Sequence, residues 1–286
     1  MKKLLLLTLL GAPLVVARPL QPENIPAQAQ WYFHGDLTRL RETNTGGFVL
    51  AQIRKDEAEK IADTKALFGF DIINDLTDVT LFGTGKGNEI AITLSGDFDR
   101  ARLEKVILQA DAYKLTTYGT VTIHQWEDNG STQHAGFHGE NTVIISQQKG
   151  LLELALDVLA RKKPGFKADL QLPSDQPVVV AFANIQKIEI PLDEGSQIVR
   201  KADSILMTLG EKRNRLVVDM VVKTASSKMA RRMMHVVQGL VSLGELADDT
   251  VEDLDIQHSS QTEGKTMTMT MSLPATNALA LIAQLK

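Results

Sequence analysis

The order of predicted strands and helices is the feature that most constrains this fold, because the same order occurs twice along the chain. Short runs rich in β-branched residues alternate with turn sequences, and helices with one apolar face follow them. The second half of the chain repeats this order in compressed form. Neighbouring runs joined by tight turns pair antiparallel. We therefore predict an α+β fold, an internal repeat of two similar units of mainly antiparallel sheet with helices packed on one face.

The domain organisation follows from changes in composition along the chain. The chain has 286 residues, a length typical of about two domains. A stretch containing Pro164, Gly165 and Pro173 separates the two predicted units. We predict a signal peptide at 1–17, a linker at 18–30, a first unit at 31–163, a second linker at 164–176 and a second unit at 177–286.

The first residues have the pattern of an export signal. Two lysines precede an apolar run, Leu4–Leu10, which Pro13 soon interrupts. The run is shorter than the roughly 20 residues that span a bilayer, so a membrane anchor is the less favoured interpretation. Cleavage is expected after Ala17, with Ala29 as the alternative. These features predict a periplasmic or extracellular protein without stable membrane insertion after cleavage.

Composition excludes several classes of function. The chain has no cysteine, which excludes disulfide frameworks, thiolate metal sites and cysteine nucleophiles. Its formal net charge is −4, and the positive charge is dispersed. The densest basic clusters are Lys212, Arg213 and Arg215 in a predicted turn, and Lys228, Arg231 and Arg232 on a predicted helix face. Nucleic-acid binding requires more convergent cations and stacking aromatic residues, so no nucleic-acid partner is predicted.

Asp71, Asp75 and Asp78 bring three carboxylates within eight residues. Such a group could supply a general acid and base, or oxygen ligands for calcium. The intervening Ile72, Ile73 and Leu76 favour a simpler interpretation, a short capped turn with its apolar side chains buried. The glycine and the ligand order of an EF-hand are missing.

The only local histidine cluster lies in a predicted hairpin. Asn129-Gly130 is the strongest short hairpin signal, and a two-residue turn there pairs Gln125 with His134 and His124 with Ala135. His124 and His134 then point to opposite faces of the sheet. His134 and His138 share a face but are separated by about 13 Å along one strand, which is too far for one metal ion.

Methionines are concentrated in the second half of the chain. Met267, Met269 and Met271 alternate with threonines, so their thioethers line one face of a predicted strand. Thioethers suit copper(I), which makes the strand a candidate metal site. The favoured interpretation is adaptable core packing against a helix that carries Met229 and Met233.

Several segments resemble a family of uncharacterised bacterial proteins that carry signal peptides and have no known function. The segments that carry this resemblance are Gly69-Phe70-Asp71-Ile72-Ile73-Asn74-Asp75-Leu76, Val79-Thr80-Leu81-Phe82-Gly83, Gly96-Asp97-Phe98-Asp99, Leu154-Ala155-Leu156-Asp157-Val158-Leu159 and Leu209-Gly210-Glu211. The resemblance covers most of residues 31–286. It implies the fold and no activity.

Known catalytic motifs such as G-x-S-x-G and H-E-x-x-H do not occur in the sequence. We therefore expect an exported soluble protein, non-enzymatic and without a cofactor, whose role is binding or envelope association. The expected partner is an unidentified protein or envelope component. Two alternatives remain open: a secreted hydrolase that uses the carboxylates near Asp71 and Asp75, and a periplasmic metal-binding protein that uses the histidine hairpin or the methionine strand.

Overall fold

A computed structural model of the chain describes residues 19–87, 89–167, 177–189, 194–247 and 254–284. The strands in these residues are β1 (Trp31–Asp36), β2 (Leu76–Gly83), β3 (Ile90–Gly96), β4 (Lys114–Tyr118), β5 (Val121–Asp128), β6 (Ser131–His138), β7 (Thr142–Ser146), β8 (Val179–Asn184), β9 (Ala202–Lys212), β10 (Arg215–Thr224), β11 (Gln257–Glu263) and β12 (Thr266–Pro274). The helices are α1 (Leu37–Glu42), α2 (Asn44–Asp56), α3 (Ala58–Phe68), α4 (Arg100–Ile107), α5 (Lys149–Leu159), α6 (Ser227–Ala247) and α7 (Ala275–Gln284). Short 3₁₀ helices cover Pro22–Asn24, Ile185–Lys187 and Glu194–Lys201.

All the described strands form one antiparallel sheet. Their order is β11-β12-β10-β9-β8-β1-β2-β3-β7-β6-β5-β4. At its centre β1, from the first half of the chain, pairs with β8, from the second half. From this pair β2 and β3 continue outward on one side, and β9 and β10 on the other. The predicted α+β class with antiparallel pairing is confirmed, and the two halves share a single sheet.

Helices pack on both faces of the sheet, which corrects the prediction of one face. Ile144 lies in a cluster with Leu152 and Leu156 of α5, whereas its neighbours Val143 and Ile145 lie in a cluster with Leu103 of α4. Successive residues of a strand point to opposite sides. Since the side chains on both sides of β7 are apolar, other elements must cover both sides to remove these side chains from water. We call the two sides the α5 face and the α4 face.

α6 also lies on the α4 face. It contributes Met233 to a cluster that contains Val222 of β10. Cross-strand pairs lead from Val222 through Ile205, Ala183, Trp31 and Gly83 to Ile90, which is on the same side of β3 as Ile92, the partner of Ile145. The α4 face is therefore covered by α4 towards one edge of the sheet and by α6 towards the other.

The junction of the two halves is closed on the α5 face by aromatic rings. Tyr32 of β1 stacks on Phe182 of β8, with ring centroids 5.4 Å apart, and meets Phe166 edge to face at 5.3 Å. Phe166 belongs to the predicted linker, and its backbone N–H donates to the carbonyl of Ile25. Residues 166 and 25 are thus part of the core, while 168–176 lie outside the described residues.

Local sequence signals explain several element boundaries. The Asp36 carboxylate accepts a hydrogen bond from the Arg39 N–H and caps α1, and Asp99 caps α4 through the Arg102 N–H in the same way. Gly69 ends α3 at φ 81°, a conformation in which glycine avoids the steric penalty of a side chain. A Cβ atom there would lie 2.5 Å from the Arg102 side chain.

The histidine hairpin has the predicted register. Asn129 and Gly130 have φ angles of 49° and 75°, as a tight turn between β5 and β6 requires. Gln125 pairs with His134, and His124 pairs with Ala135. The prediction that His124 and His134 point to opposite faces is therefore confirmed.

Candidate functional site

A row of polar side chains crosses the α5 face of the sheet. Register places Asp36 opposite Asp78, Asp78 opposite Ser95, Ser95 opposite Thr142, and Thr142 opposite His138. The first four of these residues are buried. The adjacent row on the same face of β1, β2 and β3 is also polar, with His34, Thr80 and Thr93. Buried polar residues also occur elsewhere on this face, at Ser146, Thr208 and Asp219. This strip differs from them because most of its side chains line a cavity.

The strip forms the floor of a cleft of about 340 Å³. Buried His34, Asp78, Ser95 and Thr142 line its inner end. The segment at 19–25 and the end of α5 form the walls, and the exposed residues at the mouth are Pro19, Gln21, His138 and Arg161. Ile25 and Phe82 supply apolar wall. This cleft therefore combines a polar floor, apolar walls and an opening to solvent.

Hydrogen bonds hold part of the floor in place. The Nδ1 atom of His34 lies 2.9 Å from the Oγ1 atom of Thr80, and the Thr77 hydroxyl donates to Asp78 at 3.1 Å. The Thr142 hydroxyl donates to Ser95 at 3.4 Å. Asp36, beside Asp78, is 1% exposed, and its Oδ2 atom has no hydrogen-bond partner among the described residues. The lining of the cleft therefore contains one acidic side chain, Asp78, and several hydroxyl groups, and Asp36 lies beside Asp78 outside the lining.

Only one of the three predicted carboxylates belongs to the cleft. Asp78 lies in β2 and lines the floor. Asp71 accepts hydrogen bonds from the N–H groups of Ile73 and Asn74, and Asp75 accepts one from the Asp71 N–H at 2.6 Å. Burial raises the pKa of Asp71, but these bonds outweigh it and hold the pKa below its ordinary value. Asp71 and Asp75 therefore have the expected contacts of a capped turn.

The structure separates the three histidines of the hairpin. His138 is exposed at the mouth of the cleft, and His134 is buried on the same face of β6. His124 is buried on the α4 face, with Nδ1 3.1 Å from the Tyr113 hydroxyl and Nε2 4.0 Å from Glu104. Burial lowers the pKa of His124, Glu104 opposes this effect, and Arg100 adds to it. Among the described residues no group of three His, Asp or Glu side chains could hold a metal ion.

The methionine strand packs in the core beneath α6. Met267 and Met269 are buried in a cluster with Met233, and Met271, Met229 and Met220 lie at its margin. Register pairs Met267 with Val222 and Met269 with Met220. These are the contacts expected of adaptable core side chains.

A second candidate surface is a basic groove on the outer side of α6. Lys228, Arg231, Arg232 and His235 are spaced i, i+3, i+4 and i+7, which places them on one side of the helix. Together with Lys201 they border a shallow apolar surface formed by Ile198, Met229 and Val236. None of these five basic side chains forms an ion pair with another described residue.

The sequence analysis found parts of both surfaces without recognising either. It identified Lys228, Arg231 and Arg232 as a cluster but not their apolar neighbours, because Ile198 and Lys201 come from another element. It named Asp78 and His138 but not His34, Thr93 or Ser95. Alternation along β1 and β3 was the available signal, since polar residues there take positions that share a face with Tyr32 and Ala91.

Comparison with known proteins supports the fold alone. The sequence matches no protein-family model and no curated protein. Crystal form III of TP0453 is similar over 93% of this chain and 99% of its own chain, with a TM-score of 0.53 and 11% identity. Crystal form IV of TP0453 covers 93% and 97% respectively, with a TM-score of 0.53 and 12% identity. At this identity the similarity concerns the architecture of the sheet and helices.

Proposed function

We propose that this protein is an exported, non-enzymatic protein of the cell envelope that contacts an anionic lipid surface through the basic groove of α6. The groove is the main support for this proposal. Although the net charge of the protein is −4, five basic side chains surround exposed apolar atoms in the groove. Helices with cationic and apolar stripes of this kind lie in the plane of a membrane interface. No described helix is long and apolar enough to cross a bilayer.

The proposal includes export with cleavage after Ala17, into the periplasm or the extracellular space. Ile25 is 1% exposed in the core, and its carbonyl accepts a hydrogen bond from the Phe166 N–H. Cleavage after Ala29 would remove this residue and one wall of the cleft, whereas cleavage after Ala17 would retain both. We also propose that the chain is an internal repeat, since strands of its two halves extend in matching order from the β1–β8 pair.

Vesicle binding tests the envelope proposal. The purified protein is sedimented with vesicles of phosphatidylcholine alone, or with phosphatidylcholine mixed with phosphatidylglycerol, at low and at high salt. We expect binding to the mixed vesicles that weakens as salt rises, because exposed charges are then screened. Each basic residue near an anionic membrane contributes about 1 kcal/mol. The triple variant Lys228→Gln/Arg231→Gln/Arg232→Gln should therefore bind about 100-fold more weakly.

A matched variant controls for net charge. Lys55, Lys105 and Lys114 are exposed and lie on other elements, so their replacement by glutamine removes the same charge without changing the groove. This control should bind as the unmodified protein does. Equal loss in both variants, or equal binding to both kinds of vesicle, would show that the groove does not recognise an anionic surface. N-terminal sequencing of the exported protein tests the cleavage site separately.

A further inference from the structure

The polar floor of the cleft carries an inference that is independent of the α6 groove. A buried polar side chain needs hydrogen-bond partners, because burial without them costs free energy. Apolar residues at the same positions would pack against Ile25 without this requirement. Thr93 lines the cleft, and its hydroxyl makes no hydrogen bond with another residue in the part of the chain that the structure describes. A floor with spare hydrogen-bonding capacity is the arrangement of a binding site rather than of a closed core.

The shape of the cleft restricts the size of a ligand. Its volume of about 340 Å³ lies near the lower end of the range for small-molecule sites. Buried Asp78, Ser95 and Thr142 close the inner end, and exposed His138 and Arg161 mark the mouth. A compact ligand could enter from this side and reach the floor.

The chemistry of the lining restricts the ligand class. Thr80, Thr93, Ser95 and Thr142 present hydroxyl groups, each of which can donate and accept, and Asp78 adds acceptors. The guanidinium of Arg161, at the mouth, donates through Nη1 to the carbonyl of Glu23. No strong charge of either sign dominates, and Phe82 and Ile25 offer apolar surface for C–H groups.

We propose that this cleft binds a neutral polyhydroxylated molecule of monosaccharide size. Ligand hydroxyls would exchange hydrogen bonds with Thr93 and Ser95 and donate to the carboxylate of Asp78. The C–H face of the ligand would lie against Phe82. The inference goes beyond membrane association, since it concerns the α5 face whereas α6 lies on the α4 face.

Ligand titration by NMR tests this inference on the whole protein. The probes are glucose, galactose, mannose and ribitol, with choline and inorganic phosphate as charged comparisons. We expect at least one of the polyols to bind with a millimolar or tighter Kd, and the charged probes not to compete. The variant Thr93→Val keeps the side-chain shape and removes the hydroxyl, so the Kd of that polyol should rise at least tenfold.

A matched variant distinguishes loss of the site from a general effect on the sheet. Thr268 lies on the same face of the sheet but in β12, opposite Val221, and Thr268→Val should leave the Kd unchanged. Asp78→Asn is the second site variant, and it decides the result if Thr93→Val does not fold by circular dichroism. The inference is overturned if none of the four polyols binds at millimolar concentration, if only a charged probe binds, or if neither site variant weakens binding.

Discussion

Replacing Tyr32 by alanine should destabilise the protein strongly, because this side chain holds the two halves of the sheet together. Tyr32 lies in β1, is 2% exposed and contacts Phe166 and Phe182. An aromatic side chain buries roughly 200 Å², which at about 25 cal/mol per Å² gives about 5 kcal/mol as an upper value. The unfolded chain already buries part of this area, so we expect a loss of about 4 kcal/mol.

The neighbouring Phe33 provides a control in the same strand. Its ring is similar in size but points to the α4 face and is 38% exposed. The same calculation gives about 3 kcal/mol as an upper value and about 2.5 kcal/mol after the same reduction for Phe33→Ala, and the open surroundings leave no enclosed cavity. Both variants lose the strand preference of an aromatic residue, so the difference between them, about 1.5 kcal/mol, isolates burial.

Urea denaturation followed by circular dichroism and by tryptophan fluorescence measures both variants. Circular dichroism reports the whole sheet, whereas Trp31 and Trp126 lie in the first half. If β1 and β8 join one cooperative sheet, the two signals should change at the same urea concentration. Equal losses for Tyr32→Ala and Phe33→Ala would refute the assignment of faces. Separate transitions for the two signals would refute the joined sheet.

Two further predictions concern residues that the sequence analysis considered as metal ligands. Met269→Leu should change the free energy of unfolding by less than about 1.5 kcal/mol, because one flexible apolar side chain replaces another in the cluster beneath α6, and urea denaturation measures this change. Because of His124, the free energy of unfolding should decrease as the pH falls below about 6.5. Burial lowers the pKa of His124 in the folded protein, so the unfolded chain binds a proton at this histidine more readily. Stability curves at several pH values should therefore be flatter for His124→Gln, and an unchanged slope would contradict the burial of a neutral imidazole.

Local signals in the sequence predicted the hairpin of β5 and β6 together with its register. Asn129-Gly130 specifies a turn that fixes every pair from Asp128–Ser131 to Ile123–Gly136, since a two-residue loop leaves one register. Alternation along β12 likewise predicted that Met267 and Met269 share a buried face. These features depend on residues close in sequence, where turn chemistry and side-chain period decide the structure.

Long-range pairing was beyond the reach of the same signals. The β1–β8 pair joins residues such as Phe33 and Ala181, and no local pattern selects β8 over another strand as the partner of β1. The prediction of helices on one face failed for a different reason, because it did not use a signal that is present in the local sequence. Val143, Ile144 and Ile145 form a continuous apolar run, which is typical of a strand covered on both sides.

The polar cleft shows why its residues could not be recognised singly. His34, Asp78, Ser95, Thr142 and His138 come from five different strands, and each alone has the appearance of an ordinary strand residue. Only the registers of β1, β2, β3, β7 and β6 together place them on one face, where they line a common cavity. The α6 groove differs because its cations lie on one helix. The cleft therefore depends on the fold, whereas the groove depends mainly on a local sequence pattern, and substitutions can test each surface without altering the other.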